Sequence, residues 1–340
     1  MAEPLARHGI RLEIRPLLSP AGFGRMYRPG GASRKALDLV TGCARRWMDL
    51  GRAGRYALAL IHREVWPFVG EAPLRRLARH QTRWVFDFDD AVWMPNASDA
   101  NRVFAGLKPF GQPAWLAAGA CAVSAGNTFL ADWARSCRSG SPADSVEVVP
   151  TAVDTDRWHP RPRTPGARRL IWIGTPSTAK YLEALRPALT RLGRRHPHLE
   201  LHVVGAPFSC EELRVVHHDW HEATEADLVS GCDIGLAPIP DDAWARGKCG
   251  LKLLLYMACG LPAVASRVGV HPEIVTHGED GLLADTPDGF EPAVGALVAD
   301  PELCGRLGAA ARATVEQRFS LHAVAPRLAA LLQRAAAESR

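Results

Sequence analysis

The sequence predicts an α/β protein built as two doubly wound parallel-sheet domains, and three observations predict it. The chain has 340 residues, about two domains' worth. Its 47% hydrophobic and 23% charged residues are the mix of an ordinary globular protein, which excludes a disordered chain, a collagen or a disulfide-stapled mini-protein. Short β-rich runs alternate with helical stretches, as parallel strands joined by crossover helices require.

In the second half RRLIWIG (168–174) reads as a buried strand, and a helix follows from Thr178 to Arg195 with Leu182, Leu185, Leu189 and Leu192 at helical spacing. LELHVVG (199–205), LRVVHH (213–218), DIGLAPI (233–239), PAVAS (262–266) and GLLA (281–284) read as strands. Helices are expected over 222–230, over 251–259 (stopped by Gly260 and Pro262), and near 288–299, 301–318 and 320–338. The first half is less regular. Strands are expected at 10–17, 56–64, 83–90, 117–125 and 146–151, with helices around 33–52, 71–80 and 126–137. The proline-rich, basic stretch WHPRPRTPGARR (158–169) is the expected linker, which gives domains at 1–157 and 170–319 and a final helix over 320–340 placed to pack back towards the first domain. A doubly wound domain normally opens with a strand, a glycine-rich turn and a helix. Here the chain opens on what reads as a helix end (Pro4 to His8) with Gly9 as its cap, so the first domain is expected to lack its opening strand and helix.

No window reads as a membrane span, and the start does not read as a signal peptide. The longest apolar stretch, Leu253 to Ala265, is interrupted by Gly260 and Pro262, and the start lacks an apolar h-region. The eight cysteines are scattered singly with no C-x-x-C pair, which argues against zinc and for a reduced, cytoplasmic compartment. Charge is polarised. Residues 1–86 carry 16 basic and 6 acidic side chains, whereas 87–340 carry 25 basic and 30 acidic. The first quarter therefore suits an anionic partner such as a membrane surface or phosphorylated lipid; nucleic acid is disfavoured because no recognition motif accompanies the charge. Only five of the 41 basic residues are lysine, and Lys180, Lys248 and Lys252 lie in the second half. A compact ammonium is a point charge suited to phosphate.

No P-loop, no G-x-G-x-x-G after a strand, no H-E-x-x-H and no G-x-S-x-G is present. Two places carry chemistry. VFDFDDA (85–91) ends a strand in Asp87, Asp89 and Asp90, with Asp87 and Asp89 expected on one face and Asp90 on the other. Metal binding, orientation of an acceptor, and a purely structural strand end all fit this pattern. The strand 168–174 runs into GTPSTAK, where Gly174 lets a ligand approach the backbone, Thr175 and Ser177 offer hydroxyls, and Lys180 opens the next helix. Lys248 and Lys252 flank the start of the helix from Leu251. Cations at a helix N-terminus oppose its dipole, which makes sense if a diphosphate sits there.

These residues resemble the family-four retaining glycosyltransferases of GT-B fold. The resemblance runs from about residue 8 to 335 and is strongest over LLLYMACGLPAVASRVGVHPEIVTHGEDGLLA (253–284) and DPELCGRLGAAARATVEQRFS (300–320). HRE (62–64), DFDDA (87–91), Asn127, PTAVD (150–154), IGTPSTAK and GKCGLK are similar to one bacterial branch. The resemblance implies two Rossmann-like domains facing a cleft, an acceptor-side first domain, a donor-binding second domain, and transfer of a sugar from a nucleotide-sugar co-substrate to a glycan or lipid-linked acceptor with retention. It implies no metal and no further cofactor. Carried over by position, Gly174, Thr175, Lys180, Lys248, Lys252, Tyr256 and Glu273 are the donor-binding candidates, and His62, Arg63, Asp89 and Asp90 the acceptor-side candidates; no nucleophile is assignable. Two features depart from the family. Its two glutamates, with seven residues between them, fall on Gly247 and Leu255, and its opening glycine-rich loop is absent. A non-catalytic binding protein and a sugar-nucleotide epimerase on the same fold are therefore the alternatives.

Overall fold

The computed structural model describes residues 1–26, 30–66, 70–79, 82–94, 111–140, 142–162 and 168–337. The chain divides into two compact units, one of Met1–Val149 with Ala325–Arg340, the other of Pro150–Val324.

The first unit holds a parallel sheet of β1 (Ala59–His62), β2 (Trp84–Phe88), β3 (Ala122–Ala125) and β4 (Val146–Val148), ordered β1-β2-β3-β4. β3 is buried throughout and β2 at every position but Asp87, so both read as near-continuous apolar runs, as strands covered on two faces do. Helix Thr128–Ser136 starts at Asn127, whose side chain accepts the Leu130 N–H at 2.8 Å. The last helix, Leu321–Ala337, is tied to this unit by polar contacts. Arg83 donates twice to the Ala335 carbonyl, at 3.1 and 2.7 Å, and Arg327 donates to Val148 O at 2.7 Å. Arg334 pairs with Glu147 at 2.6 Å.

The expected strand at 10–17 does not form. Its apolar residues alternate correctly, but no described strand pairs with it, and Arg46 and Arg45 instead donate to the carbonyls of Arg15 (2.8 Å) and Leu17 (3.1 Å). The opening helix ends at Ala6 rather than His8, and residues 117–119 of the expected third strand close the helix Gly111–Gly119. That helix and Pro20–Met26 carry glycine and proline inside them, which masked their helical periodicity.

The second unit holds β5 (Arg169–Ile173), β6 (Glu200–Val204), β7 (Arg214–His218), β8 (Ile234–Ala237), β9 (Ala263–Ser266) and β10 (Leu282–Ala284). All are parallel, in the order β10-β9-β8-β5-β6-β7. The chain winds outward from β5 to β7, then crosses back to β8 and winds the other way. The sheet therefore has its switch point between β5 and β8, where open α/β sheets bind ligands beyond the carboxyl ends of the strands. The expected helix over 178–195 is two helices, Ala179–Glu183 and Arg186–Arg195, because Pro187 starts the second and lacks the N–H to continue the first. The stretch read as a linker falls within this unit. Trp158 is buried in a core with Ile171, Tyr256 and Phe319; residues 163–167 lie outside the described residues. Among the described residues no helix is long and apolar enough to cross a membrane.

Candidate functional site

At the switch point, β5 and β8 pair only as far as Ile171↔Gly235, while β5 and β6 stay paired to Ile173↔Val204. The two strands part at their carboxyl ends, and the Ile173 N–H on the β8 side donates to Tyr256 Oη at 2.9 Å. Tyr256 is fully buried, and burial pushes its hydroxyl pKa well up. A Cβ on Gly235 would stand 2.4 Å from the tyrosine ring, so that glycine makes the room. Tyr256, a donor-side candidate, thus closes the strand fork from inside the core. Alternation could not reveal this, because the partner of the hydroxyl is a backbone group 83 residues away.

Gly174 stands against an indole. A Cβ there would lie 1.8 Å from the Trp172 ring, so the ring demands a glycine at this position. The same indole carries Lys252 Nζ 5.1 Å from its ring centroid. Beyond Gly174, Thr175, Ser177 and Thr178 form a hydroxyl turn. Thr178 Oγ1 accepts the Thr175 N–H at 2.9 Å, and the hydroxyls of Thr175 and Ser177 are 2.8 Å apart. Thr175 is exposed, as is Lys180 in the first turn of the following helix, with its Nζ 5.5 Å from the centre of the Tyr181 ring.

Lys248 lies on the loop after β8, with its Nζ 5.6 Å from the centre of the Trp244 ring, and Lys252 in the first turn of the helix that follows. The loop after β8 is shaped by Asp242, which caps the short helix Ala243–Arg246 by accepting the Ala245 N–H at 2.7 Å. Gly250 then caps the helix Leu251–Ala258 in a left-handed conformation (φ 69°), with no side chain bonded to the first N–H groups. A Cβ on Gly250 would meet Ile274 at 2.5 Å, so the turn His271–Ile274 packs directly against the cap. That turn carries Glu273, which is exposed and whose carbonyl accepts from Arg318 at 2.8 Å. Its His271 is buried, with Nδ1 3.0 Å from Ser266 O, and burial lowers its pKa to about 4.

Lys252 is half-buried, and its pKa falls to about 8, chiefly through desolvation and then through the charge of Lys248; Glu225 opposes the fall. Two ammonium groups held close enough to disfavour each other, at an uncapped helix start, make a site that gains when an anion arrives. Glu225, in the first turn of Glu225–Ser230, is a residue that sequence reading missed. Burial raises its carboxyl pKa, while a hydrogen bond with Trp220 and the charges of Arg157 and Lys252 oppose the rise. Its signal was an isolated glutamate in a short helix, indistinguishable from any solvent-facing acid. Leu255 and Gly247, where the family has glutamates, are both buried.

The second cluster lies in the first unit, at the carboxyl ends of β1 and β2. His62 Nδ1 lies 2.7 Å from Asp87 and Nε2 lies 3.8 Å from Asp89. Arg63 donates to Asp89 at 2.6 Å and pairs with Asp90 at 2.9 Å. The expectation that Asp90 faces away is therefore corrected: the strand ends at Phe88, the alternation stops there, and one guanidinium gathers both following carboxylates. Arg63 is held at φ 61°, an uncommon conformation for a non-glycine residue. Its N–H donates to Asp87 O (2.8 Å), and the next residues are pinned by buried Gln112, whose Oε1 accepts from Val65 at 2.6 Å. The hydrogen bond with Asp87 raises the His62 pKa against desolvation. Burial pushes Asp89 up, but Arg63 and His62 outweigh it and leave the carboxyl below its usual range.

Residues 167–300 match the model of the family "Glycosyl transferases group 1". The chain is 30% identical over 234 residues to GDP-mannose-dependent alpha-(1-6)-phosphatidylinositol monomannoside mannosyltransferase of Mycobacterium tuberculosis, covering 61% of each. It is 29% identical over 188 residues to D-inositol 3-phosphate glycosyltransferase of Geodermatophilus obscurus, covering 46% of this chain and 41% of the relative. The alignments thus span about three-fifths or less of these relatives. Among solved structures, HepE of Anabaena in complex with UDP and glucose superposes with a TM-score of 0.63 at 17% identity, covering 97% of this chain and 88% of that one. Sucrose-phosphate synthase of Thermosynechococcus elongatus gives 0.63 at 17% identity, covering 88% and 80%. The fold is that of the GT-B glycosyltransferases, two α/β domains each on a parallel sheet.

Proposed function

We propose that this protein is a glycosyltransferase that moves a sugar from a nucleotide-sugar donor to a lipid-linked or surface glycan, retaining anomeric configuration and using no metal. The observation that carries the reading is the pair Lys248 and Lys252 at the uncapped start of Leu251–Ala258, beside the β5/β8 switch point. A departing nucleoside diphosphate gains negative charge in the transition state, and preformed cations with free N–H groups stabilise that charge without reorganising. Thr175 and Lys180 sit beyond the carboxyl end of β5, the position from which they would reach the same diphosphate. The relatives' names support the rest: one uses GDP-mannose and acts on a phosphatidylinositol mannoside, and the HepE structure holds UDP and glucose. His62, Arg63, Asp89 and Asp90 are the acceptor-side groups in this reading, with carboxylates suited to accepting hydrogen bonds from sugar hydroxyls.

Leu255 favours a second reading, a binding protein that lacks turnover, because a buried leucine cannot hold the donor ribose through its hydroxyls. Both readings are tested by a thermal-shift screen of nucleotide sugars followed by product analysis. Binding and turnover of one donor support the transferase, and binding without hydrolysis or transfer to any glycan or lipid acceptor supports the second reading. Failure to bind any nucleotide or nucleotide sugar overturns both.

A further inference from the structure

Among the described residues of the second unit, the large apolar side chains left exposed are those of Trp220 and Leu251. Both lie beyond the carboxyl ends of the parallel strands. Leu251 opens the helix that carries Lys252, and Trp220 follows β7 by two residues. A pair of glycines lets Trp220 approach the sheet edge. Gly205, the residue after β6, is held at φ 78°, and a Cβ on it would stand 2.5 Å from the Gly174 carbonyl oxygen and 3.6 Å from Trp220 Cβ. The tryptophan therefore sits beside the ends of β5 and β6, at the edge that carries Thr175. It is 53% exposed although its indole N–H is engaged, donating to the carboxylate of Glu225.

Glu225 stands beside the lysine-bearing helix. Its own helix, Glu225–Ser230, packs Ala226, Leu228 and Val229 into the core that holds Leu254, Leu255 and Tyr256. Its charge acts on both Lys252 and Tyr256, which are one turn apart with Leu255 between them in the chain. The indole N–H takes one of about four lone-pair sites on the carboxylate, so acceptor capacity remains.

We infer that Glu225 and Trp220 receive the nucleoside of the donor, the carboxylate accepting the vicinal ribose hydroxyls and the exposed indole face covering the base. This subsite rests on the nucleotide-sugar reading above, which it deepens. A ribose is joined to its phosphate through one carbon, so a diphosphate at Lys248 and Lys252 brings the ribose hydroxyls to groups standing next to Lys252. A carboxylate suits a diol because it only accepts, and an acidic side chain on the ribose is a recurring solution in parallel α/β nucleotide sites. An aromatic face stacks on any base. Glu225 also favours the ammonium form of Lys252, the form that a phosphate needs. The buried leucine at 255 then leaves donor binding intact, because the neighbouring helix supplies the carboxylate.

The test is calorimetry of the full chain with UDP and GDP, their 2′,3′-dideoxy forms, and inorganic pyrophosphate. The wild type should bind the ribose form of its nucleotide at least about tenfold tighter than the dideoxy form, a comparison that needs no variant. Glu225→Ala should reduce that preference to within about twofold and hold pyrophosphate no more weakly than the wild type does. Trp220→Ala should weaken the nucleoside diphosphate at least about fivefold and leave pyrophosphate unchanged. Equal wild-type affinity for ribose and dideoxy forms overturns the subsite, and so does a preference that survives Glu225→Ala. A parallel loss of pyrophosphate in Glu225→Ala overturns it too, since the glutamate would then act only through Lys252. Unchanged nucleotide affinity in Trp220→Ala overturns the stacking. A wild type that binds no nucleotide in any form overturns the nucleotide-sugar reading itself, a result distinct from nucleotide binding that ignores the ribose.

Discussion

The two units solve the same α/β problem differently. The second has six parallel strands in the order β10-β9-β8-β5-β6-β7, packed so closely that Gly235 is demanded by the Tyr256 ring of a covering helix and Gly174 by the Trp172 ring of its own strand. The first has four described strands and a 21-residue helix on which Leu37, Val40, Trp47 and Met48 are exposed while Leu50 is buried. The chemistry differs in step. The second unit places Lys248 and Lys252 about a helix start, where the charge of each disfavours the other. The first concentrates carboxylates already matched by His62 and Arg63. One site is poised to gain a charged ligand; the other is near neutral and suited to hydroxyls. The difference teaches that the lysines of the second unit stand beside a tightly packed core, while the carboxylates of the first unit are held by exposed and half-buried side chains at the ends of β1 and β2.

Substitutions can break this contrast. The largest expected effect is Gly235→Ala. The added methyl meets Tyr256 at 2.4 Å in a packed core and should cost about 3 kcal/mol in chemical unfolding. Leu37→Ser on the outward face should stay within about 0.5 kcal/mol; equal effects would erase the distinction between the units. The pH dependence of unfolding comes next. His271 has a folded pKa of about 4, below the ordinary value of 6.5, so the unfolded chain binds its proton more readily. Its contribution is complete above about pH 6.5 and is lost as pH falls towards 4, amounting to about 3 kcal/mol. His271→Gln should flatten that slope, and an unchanged slope would show that other groups set it. Tyr256→Phe should cost about 2 kcal/mol by leaving the buried Ile173 N–H without its acceptor, with nucleotide affinity unchanged. A lost affinity would place Tyr256 in the donor pocket.

Lys252→Ala should weaken nucleoside diphosphate binding about tenfold in calorimetry, equivalent to about 1.4 kcal/mol. In the wild type, affinity should fall as pH rises through about 8, because Lys252 loses its charge there, and the variant should lack this fall. Unchanged affinity in both experiments would remove the phosphate clamp. A small effect on stability is also expected of Arg63→Gly. Relief of φ 61° offsets the loss of two half-exposed ion pairs, leaving a change below about 1 kcal/mol, while transfer to acceptor drops.

Much of the second unit was legible in the sequence, because strand and helix periods are local and its central strands are buried on both faces. RLIWI, ELHVV and AVAS announce themselves without reference to any partner. The lysines were legible for a similar reason: they are rare in this chain, and a helix start is marked by the glycine before it. The segment 10–17 has equally good alternation but no strand to pair with, and pairing is not written in the segment itself.

What the sequence determined by itself was therefore the alternation of strands and helices, the polarity of charge, and the placement of Lys248 and Lys252 at a helix start. Tertiary structure decided that Tyr256 closes the strand fork, that Trp172 takes the space beside Gly174, that Asp90 joins Asp89 on Arg63, and that Leu37, Val40, Trp47 and Met48 of Ala32–Arg52 are exposed. Each of these depends on which distant backbone or side chain the sheet order brings alongside. Periodicity fixes the direction of a side chain relative to its own element, but only packing fixes what stands there to meet it.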